Sequence, residues 1–140
     1  KKRLIGLCSY VWFSQMGFPH STLKFPYKRQ SPSSKKAVVF NSIEDVWEEI
    51  YALCDKWKNN KYSLGRNLYF HLPLFCNPKW LVEETDVILL QEYAWVKDLN
   101  IPLARSLGEA NAKTLDYFDL IGTEVTEIKQ YVSEKKNGSN

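Results

Sequence analysis

Residues able to do chemistry are few and scattered in this chain. The histidines are His20 and His71, and the cysteines are Cys8, Cys54 and Cys76. His71 and Cys76 come nearest to a metal-binding pair, but no Cys-x-x-Cys or His-x-x-x-His spacing occurs, and scattered apolar cysteines are usually core residues. His20 and Ser21 lack the third, orienting group that an activated nucleophile needs. We therefore expect no catalytic residue, no metal and no cofactor.

Catalytic motifs are also missing from the sequence. It contains no phosphate-binding loop, dinucleotide fingerprint, nucleophile elbow or zinc-protease motif. The adjacent acids Glu48 and Glu49 could form an acid-base pair, but the helical phase suggests that both face away from an apolar stripe and lie in solvent. Nothing in the sequence supports an enzyme.

Charge is distributed unevenly along the chain. Residues 1–40 hold eight basic and no acidic side chains, for a charge of +8, whereas residues 41–140 hold 11 basic and 16 acidic ones, for −5. The overall charge of +3 therefore conceals a basic arm on an acidic body.

The basic segment, residues 24–36, lies in a loop-rich arm at about 19–36. Its candidate binding residues are Lys24, Phe25, Tyr27, Lys28, Arg29, Lys35 and Lys36. Cations interleaved with aromatic rings can grip a phosphate backbone while the rings stack on bases. They can equally meet an acidic protein surface, and the acidic body of a second copy offers one in a head-to-tail array. We prefer protein binding and keep nucleic-acid binding as the alternative.

A helix-turn-helix at 13–23 with its bend at Gly17 is a weaker alternative, because Phe13 is bulky and Pro26 would shorten the second helix.

The chain has the length and composition of a single globular domain. It has 140 residues, 44% of them hydrophobic and 25% charged. No apolar run approaches the roughly 18 residues of a membrane span. Three cysteines do not make a disulfide framework, which indicates a reducing, intracellular setting. An apolar run follows Lys1-Lys2-Arg3, but no small-residue cleavage site follows that run, so we interpret it as a strand and not a signal peptide.

Patterning predicts an α+β fold, with a small antiparallel sheet from the N-terminal half covered by three helices. The expected strands are 2–13, 37–40 and 67–72, and the expected helices are about 43–58, 78–99 and 108–135. Ser42 with Asp45 approximates a capping box for the first helix. We expect the helical stripes to bury Trp57, Leu81, Leu89, Trp95, Leu115, Phe118 and Ile121.

One stretch leaves the fold class open. The apolar run at 86–91 fits a buried helix, but periodicity alone does not exclude a buried strand. With strands at 4–8, 37–40, 67–72, 86–91 and 101–104, the chain would instead be a Rossmann-like α/β enzyme.

Four phrases of the second half carry a family resemblance. They are Leu-Pro-Leu-Phe-Cys-Asn-Pro-x-Trp-Leu at 72–81, Glu-Tyr-x-Trp-x-Lys-x-x-x-x-Pro at 92–102, Ser-Leu-x-Glu at 106–109, and Leu-Asp-x-x-x-x-Ile-x-x-Glu at 115–124. Together they resemble small accessory proteins encoded among the virion-assembly genes of tailed bacteriophages. The resemblance covers about half the chain and implies a non-catalytic assembly component, located in the host cytoplasm or the virion, that binds other protein subunits. It carries no catalytic residue.

Overall fold

The computed structural model describes residues 1–99 and 112–138. Its elements are α1 (Lys2–Met16), β1 (Tyr27–Gln30), β2 (Ala37–Phe40), α2 (Ile43–Lys56), α3 (Leu64–His71), two short 3-10 helices (Leu72–Leu74 and Pro78–Leu81), α4 (Glu84–Asp98) and α5 (Ala112–Gly138). The described part is thus mainly helical and carries a two-stranded antiparallel sheet. This agrees with the α+β class, but five α-helices replace the predicted three.

The first element corrects the sequence interpretation, because the expected strand at 2–13 is helix α1. Its buried side chains include Leu7, Cys8, Val11, Trp12 and Phe13, which point to several sides of the helix. Such a helix has no polar face to reveal its period, so its apolar run resembles a buried strand. Helix α1 packs against α3, α4 and α5 and forms the centre of the fold.

The region after α1 corrects a further expectation, the helix-turn-helix at 13–23. Gly17 ends α1 with a positive φ of 99°, a conformation that suits glycine, and its amide donates to the Phe13 carbonyl. No second helix follows within 18–26, so the helix-turn-helix is wrong.

The expected strand at 67–72 is also wrong. These residues lie in α3 and in the 3-10 helix that follows it, and the Ser63 hydroxyl caps α3 by accepting from the Arg66 amide.

The remaining helices follow the sequence interpretation more closely. Helix α2 matches the predicted 43–58 within two residues, although the Ser42 side chain makes no capping bond and Asp45 instead accepts from the Asn41 amide. The predicted 78–99 helix is divided at Val82 and Glu83, because Glu83 and Asp86 form a capping box that starts α4 anew. Residues 86–91 are helical. Helix α5 covers the predicted last helix from residue 112 onward, and 108–111 lies outside the described residues.

These assignments contradict most of the strands that the Rossmann-like alternative requires. Its proposed strands at 4–8, 67–72 and 86–91 are helical, 37–40 is strand β2 of the hairpin that β1 and β2 form, and 101–104 lies outside the described residues. None of the helices in the described ranges combines the length and apolar character needed to cross a membrane.

The core consists of two adjoining clusters on either side of α1. One joins α1 to α2, α3 and the hairpin, and the other joins α1 to α4 and α5. Of the seven expected core residues, Leu81, Leu89 and Ile121 are buried, and Trp57 and Phe118 are partly buried and pack on the clusters. Trp95 and Leu115 are exposed, at 48% and 38%, which corrects their expected burial.

Candidate interaction site

Five of the seven predicted binding residues lie on a β-hairpin, which consists of β1, the turn at 31–36 and β2. Tyr27 pairs with Phe40, Lys28 with Val39, Arg29 with Val38 and Gln30 with Ala37. The basic segment is therefore largely ordered, with Lys24 and Phe25 leading into β1. Lys35 adopts a positive φ of 65° at the end of the turn, and its amide donates to the Ser31 carbonyl.

The two aromatic residues of the segment anchor the base of the hairpin. The Phe25 ring stacks on Trp80 with centroids 4.6 Å apart, and the Tyr27 ring stacks on Phe40 at 5.3 Å. The Tyr27 hydroxyl donates a 2.7 Å hydrogen bond to the Phe75 carbonyl, and burial raises the pKa of Tyr27. Both rings are thus held against the body instead of being presented for base stacking.

A buried carboxylate holds the turn of the hairpin onto α2. Glu49 accepts from the Ser31 hydroxyl at 2.5 Å, the Ser33 amide at 2.8 Å and the Ser33 hydroxyl at 2.9 Å. The Lys56 ammonium donates to the Ser33 carbonyl beside it. Glu49 is only 9% exposed, which corrects its expected solvent exposure, while Glu48 is exposed as predicted.

The position of Glu49 could have been found from the sequence. Val46, Glu49, Ile50 and Leu53 follow the i, i+3, i+4, i+7 spacing, which places the carboxylate on the buried stripe. A buried carboxylate requires hydrogen-bond donors. The serine-rich turn at 31–34 supplies those donors.

All five cations of the segment point into solvent. Lys24, Lys28, Arg29, Lys35 and Lys36 are exposed, and none of them forms an ion pair with a residue in the described ranges. The predicted cations are therefore exposed on the hairpin and on the residues leading into it, while Phe25 and Tyr27 pack against the body.

Both outer edges of the hairpin carry backbone amides and carbonyls that are free to pair with another strand. The Ser31 amide donates to the Lys36 carbonyl, so 31 and 36 are a hydrogen-bonded pair and such pairs alternate along the ladder. The amides and carbonyls of Lys28 and Gln30 on β1, and of Ala37 and Val39 on β2, therefore point away from the partner strand. Within residues 1–99 and 112–138, none of these outward groups has a hydrogen-bond partner.

A groove of about 300 Å³ runs beside β2. Its lining residues are Val38, Val39, Phe40, Asn41, Asp45, Glu48 and Glu49. Val38 and Val39 are 36% and 49% exposed, so the strand presents apolar side chains next to the carboxylates of α2. Exposed apolar edges of this kind favour pairing with another strand.

A second apolar surface lies on the outer face of α4. Val87, Ile88, Trp95 and Leu99 are 41%, 45%, 48% and 63% exposed. Leu89, Leu90 and Tyr93 occupy the opposite side of the helix and pack with α5 residues. Exposed apolar surface containing tryptophan is typical of protein-binding sites.

Another buried polar cluster, around Glu124, has a structural role. The Glu124 carboxylate, between α1, α3 and α5, accepts from Trp12 Nε1 at 2.9 Å, the Ser63 hydroxyl at 2.6 Å and the Gly65 amide at 3.1 Å. Burial, reinforced by this carboxylate, raises the pKa of the neighbouring Cys8 thiol. With Glu124 only 2% exposed, the cluster joins helices and offers no access to a substrate.

The metal candidates of the sequence do not form a centre. His71 Nδ1 contacts the Asn67 carbonyl at 2.7 Å, and its ring lies against Trp57. Cys76 is buried in the core, and burial raises the pKa of its thiol. In the part of the chain that the structure describes, no group of three or more His, Cys, Asp or Glu residues could hold a metal ion.

Comparison of the chain with protein-family models, with curated proteins and with solved structures returns no significant match.

Proposed function

We propose that this protein is a non-catalytic assembly component that binds other protein subunits through its hairpin. The proposal rests on a hairpin that is anchored at both ends and has open backbone edges and four exposed cations, with a fifth, Lys24, in the segment leading into it. Pre-ordering of a binding segment lowers the entropy that association costs. The apolar outer face of α4 supports a protein partner in addition.

The anchoring of Phe25 and Tyr27 supports our preference for protein binding over the alternative function, nucleic-acid binding. Single-strand binding proteins gain much of their affinity from aromatic rings that stack on bases. Here both rings are engaged with Trp80, Phe40 and the Phe75 carbonyl. The cations alone would supply sequence-independent, salt-sensitive attraction to phosphate.

The resemblance at 72–81, 92–102, 106–109 and 115–124 extends the proposal to virion assembly in a tailed bacteriophage. This extension is an inference from those residues alone. It implies a protein of the host cytoplasm or of the particle.

A titration with nucleic acid tests the proposal against its alternative. The native chain and a variant with Lys24, Lys28, Arg29, Lys35 and Lys36 replaced by glutamine are titrated into labelled single-stranded and duplex DNA and RNA at physiological salt. We expect weak binding without sequence preference in both. Tight binding by the native chain, lost in the glutamine variant while its fold persists, would place nucleic-acid binding first.

A further inference from the structure

We propose that the partner of the hairpin is a second copy of this chain, whose β1 adds to the free edge of β2 beside α2. This inference rests on the proposed function and gives it a partner and a geometry. Repeated along successive copies, the contact makes a head-to-tail array in which β1 and β2 strands alternate in one sheet.

The backbone provides the first argument. Ala37 and Val39 direct their amides and carbonyls to the open side of β2, and Lys28 and Gln30 do the same on β1. An edge strand with unpaired groups is a template for strand addition. Both strands are four residues long, so their outward groups can match along the whole ladder.

Charge selects which two edges meet. Pairing β1 with another β1 would set Lys28 and Arg29 against the same cations, and pairing β2 with another β2 would bring two acidic α2 helices together. Like charges across a strand pair are destabilising. Only β1 against β2 places basic side chains over the groove that Asp45 and Glu48 line.

The alternation of side chains makes this complementarity independent of register. Successive residues of a strand point to opposite faces, so any register directs either Lys28 or Arg29 of the incoming strand towards α2. Val38 and Val39 gain apolar cover at the same time. A contact between two different edges is heterologous, and such contacts form open arrays unless the rotation closes a ring.

The first test is self-association of the native chain, followed by sedimentation velocity from micromolar to millimolar concentration. We expect the average mass to rise with concentration and to fall in about 1 M salt, where the screening length is about 3 Å. A chain that stays monomeric across this range overturns the inference.

A matched pair of substitutions tests the backbone edge. Val39→Pro removes the outward amide without removing a ladder bond to β1, whereas Val39→Thr keeps that amide and a branched side chain. Loss of one interstrand hydrogen bond should weaken self-association about tenfold in Val39→Pro and leave Val39→Thr close to the native chain. Equal association of the two variants would contradict strand addition at β2.

Charge reversal tests the pairing of edges and remains informative if the proline variant folds poorly. Lys28→Glu with Arg29→Glu in one chain, and Glu48→Lys in another, should each self-associate about tenfold more weakly. Mixing the two should restore association, because the acidic β1 of one variant then meets the lysine at position 48 of the other, while basic β1 meets native α2. Asp119→Lys, which makes the same charge change as Glu48→Lys but on α5, is the control and should have no effect.

The outcomes separate this inference from the proposed function. Failure of mixing to restore association overturns the β1-to-β2 contact. If the chain is monomeric but its hairpin crosslinks to a different protein, the inference falls and the proposed function stands. If the hairpin instead binds nucleic acid tightly, both fall.

Discussion

At the scale of single residues, two buried carboxylates determine how the elements are joined. Glu49 attaches the hairpin turn to α2, and Glu124 joins three helices. Each sits on an apolar stripe at the i+3 position, next to Ile50 in α2 and Val125 in α5. An acidic residue within such a stripe predicts donors from another element, because a buried carboxylate without them would be unstable.

The contribution of Glu49 can be measured by urea unfolding. Glu49→Gln replaces a carboxylate that accepts three hydrogen bonds, so we expect a loss of about 1.5–3 kcal/mol in the free energy of unfolding. The neighbouring control, Glu48→Gln, changes an exposed residue and should stay within about 0.5 kcal/mol of the native value. Equal effects of both would show that the turn is not anchored through Glu49.

Asp86 predicts a specific pH dependence. Burial raises the pKa of this carboxyl above its usual 3.8, with Glu83 adding to the shift and the Glu83 amide and Arg3 opposing it. The native state therefore holds the proton more tightly than the unfolded state, and this residue's contribution to stability falls as pH rises above about 4. Asp86→Asn keeps an oxygen for the Glu83 amide and removes the titration.

The measurement is the unfolding free energy of both proteins at several pH values. Stability of Asp86→Asn relative to the native chain should increase between pH 4 and pH 7. A difference that stays constant, or decreases, over this interval would contradict the raised pKa.

At the scale of elements, α4 shows a sharp division between its two sides. Leu89 is buried against α5, while its neighbour Ile88 is 45% exposed. The run at 86–91 conceals this division, because its four central positions, 87–90, are all hydrophobic. The sequence could therefore predict the helix, but not that Trp95 would lie on the outer face.

Substitution of these adjacent residues checks the orientation of α4. Leu89→Ala should cost about 2–5 kcal/mol of unfolding free energy, as expected for truncation in a core. Ile88→Ala, on the exposed face, should change it by about 0.5 kcal/mol or less. A larger loss from Ile88→Ala in the monomer would mean that the helix is rotated.

The way each helix packs explains whether it could be predicted from the sequence. Helices α2 and α5 have apolar residues at helical spacing with polar residues between them, and both were predicted. Helix α1 is surrounded by other elements, and α3 contains β-favouring aromatic residues whose preference is overridden by packing on α1. Tertiary contacts determine the helical structure of α1 and α3, and no local sequence pattern reveals those contacts.

At the scale of the whole molecule, the charge asymmetry of the sequence becomes a spatial arrangement. Four of the five cations of the basic segment lie on the hairpin, and carboxylates of α2 line the groove beside β2. The clustering of Lys24, Lys28, Arg29, Lys35 and Lys36 was predictable from their proximity in sequence. The anchoring of Phe25 and Tyr27 was not, because Trp80 and Phe75 come from a distant part of the chain.

Binding of protein by the hairpin can be measured by crosslinking from its exposed edge. A photoreactive amino acid is placed at position 39 in cells that produce the protein, with position 119 on α5 as the control. Mass spectrometry then identifies the crosslinked products. We predict peptide adducts from position 39 that diminish when the five cations are replaced by glutamine, and few from position 119. Nucleotide adducts at position 39, or equal peptide yields from both positions, would show that the hairpin is not a protein-binding site.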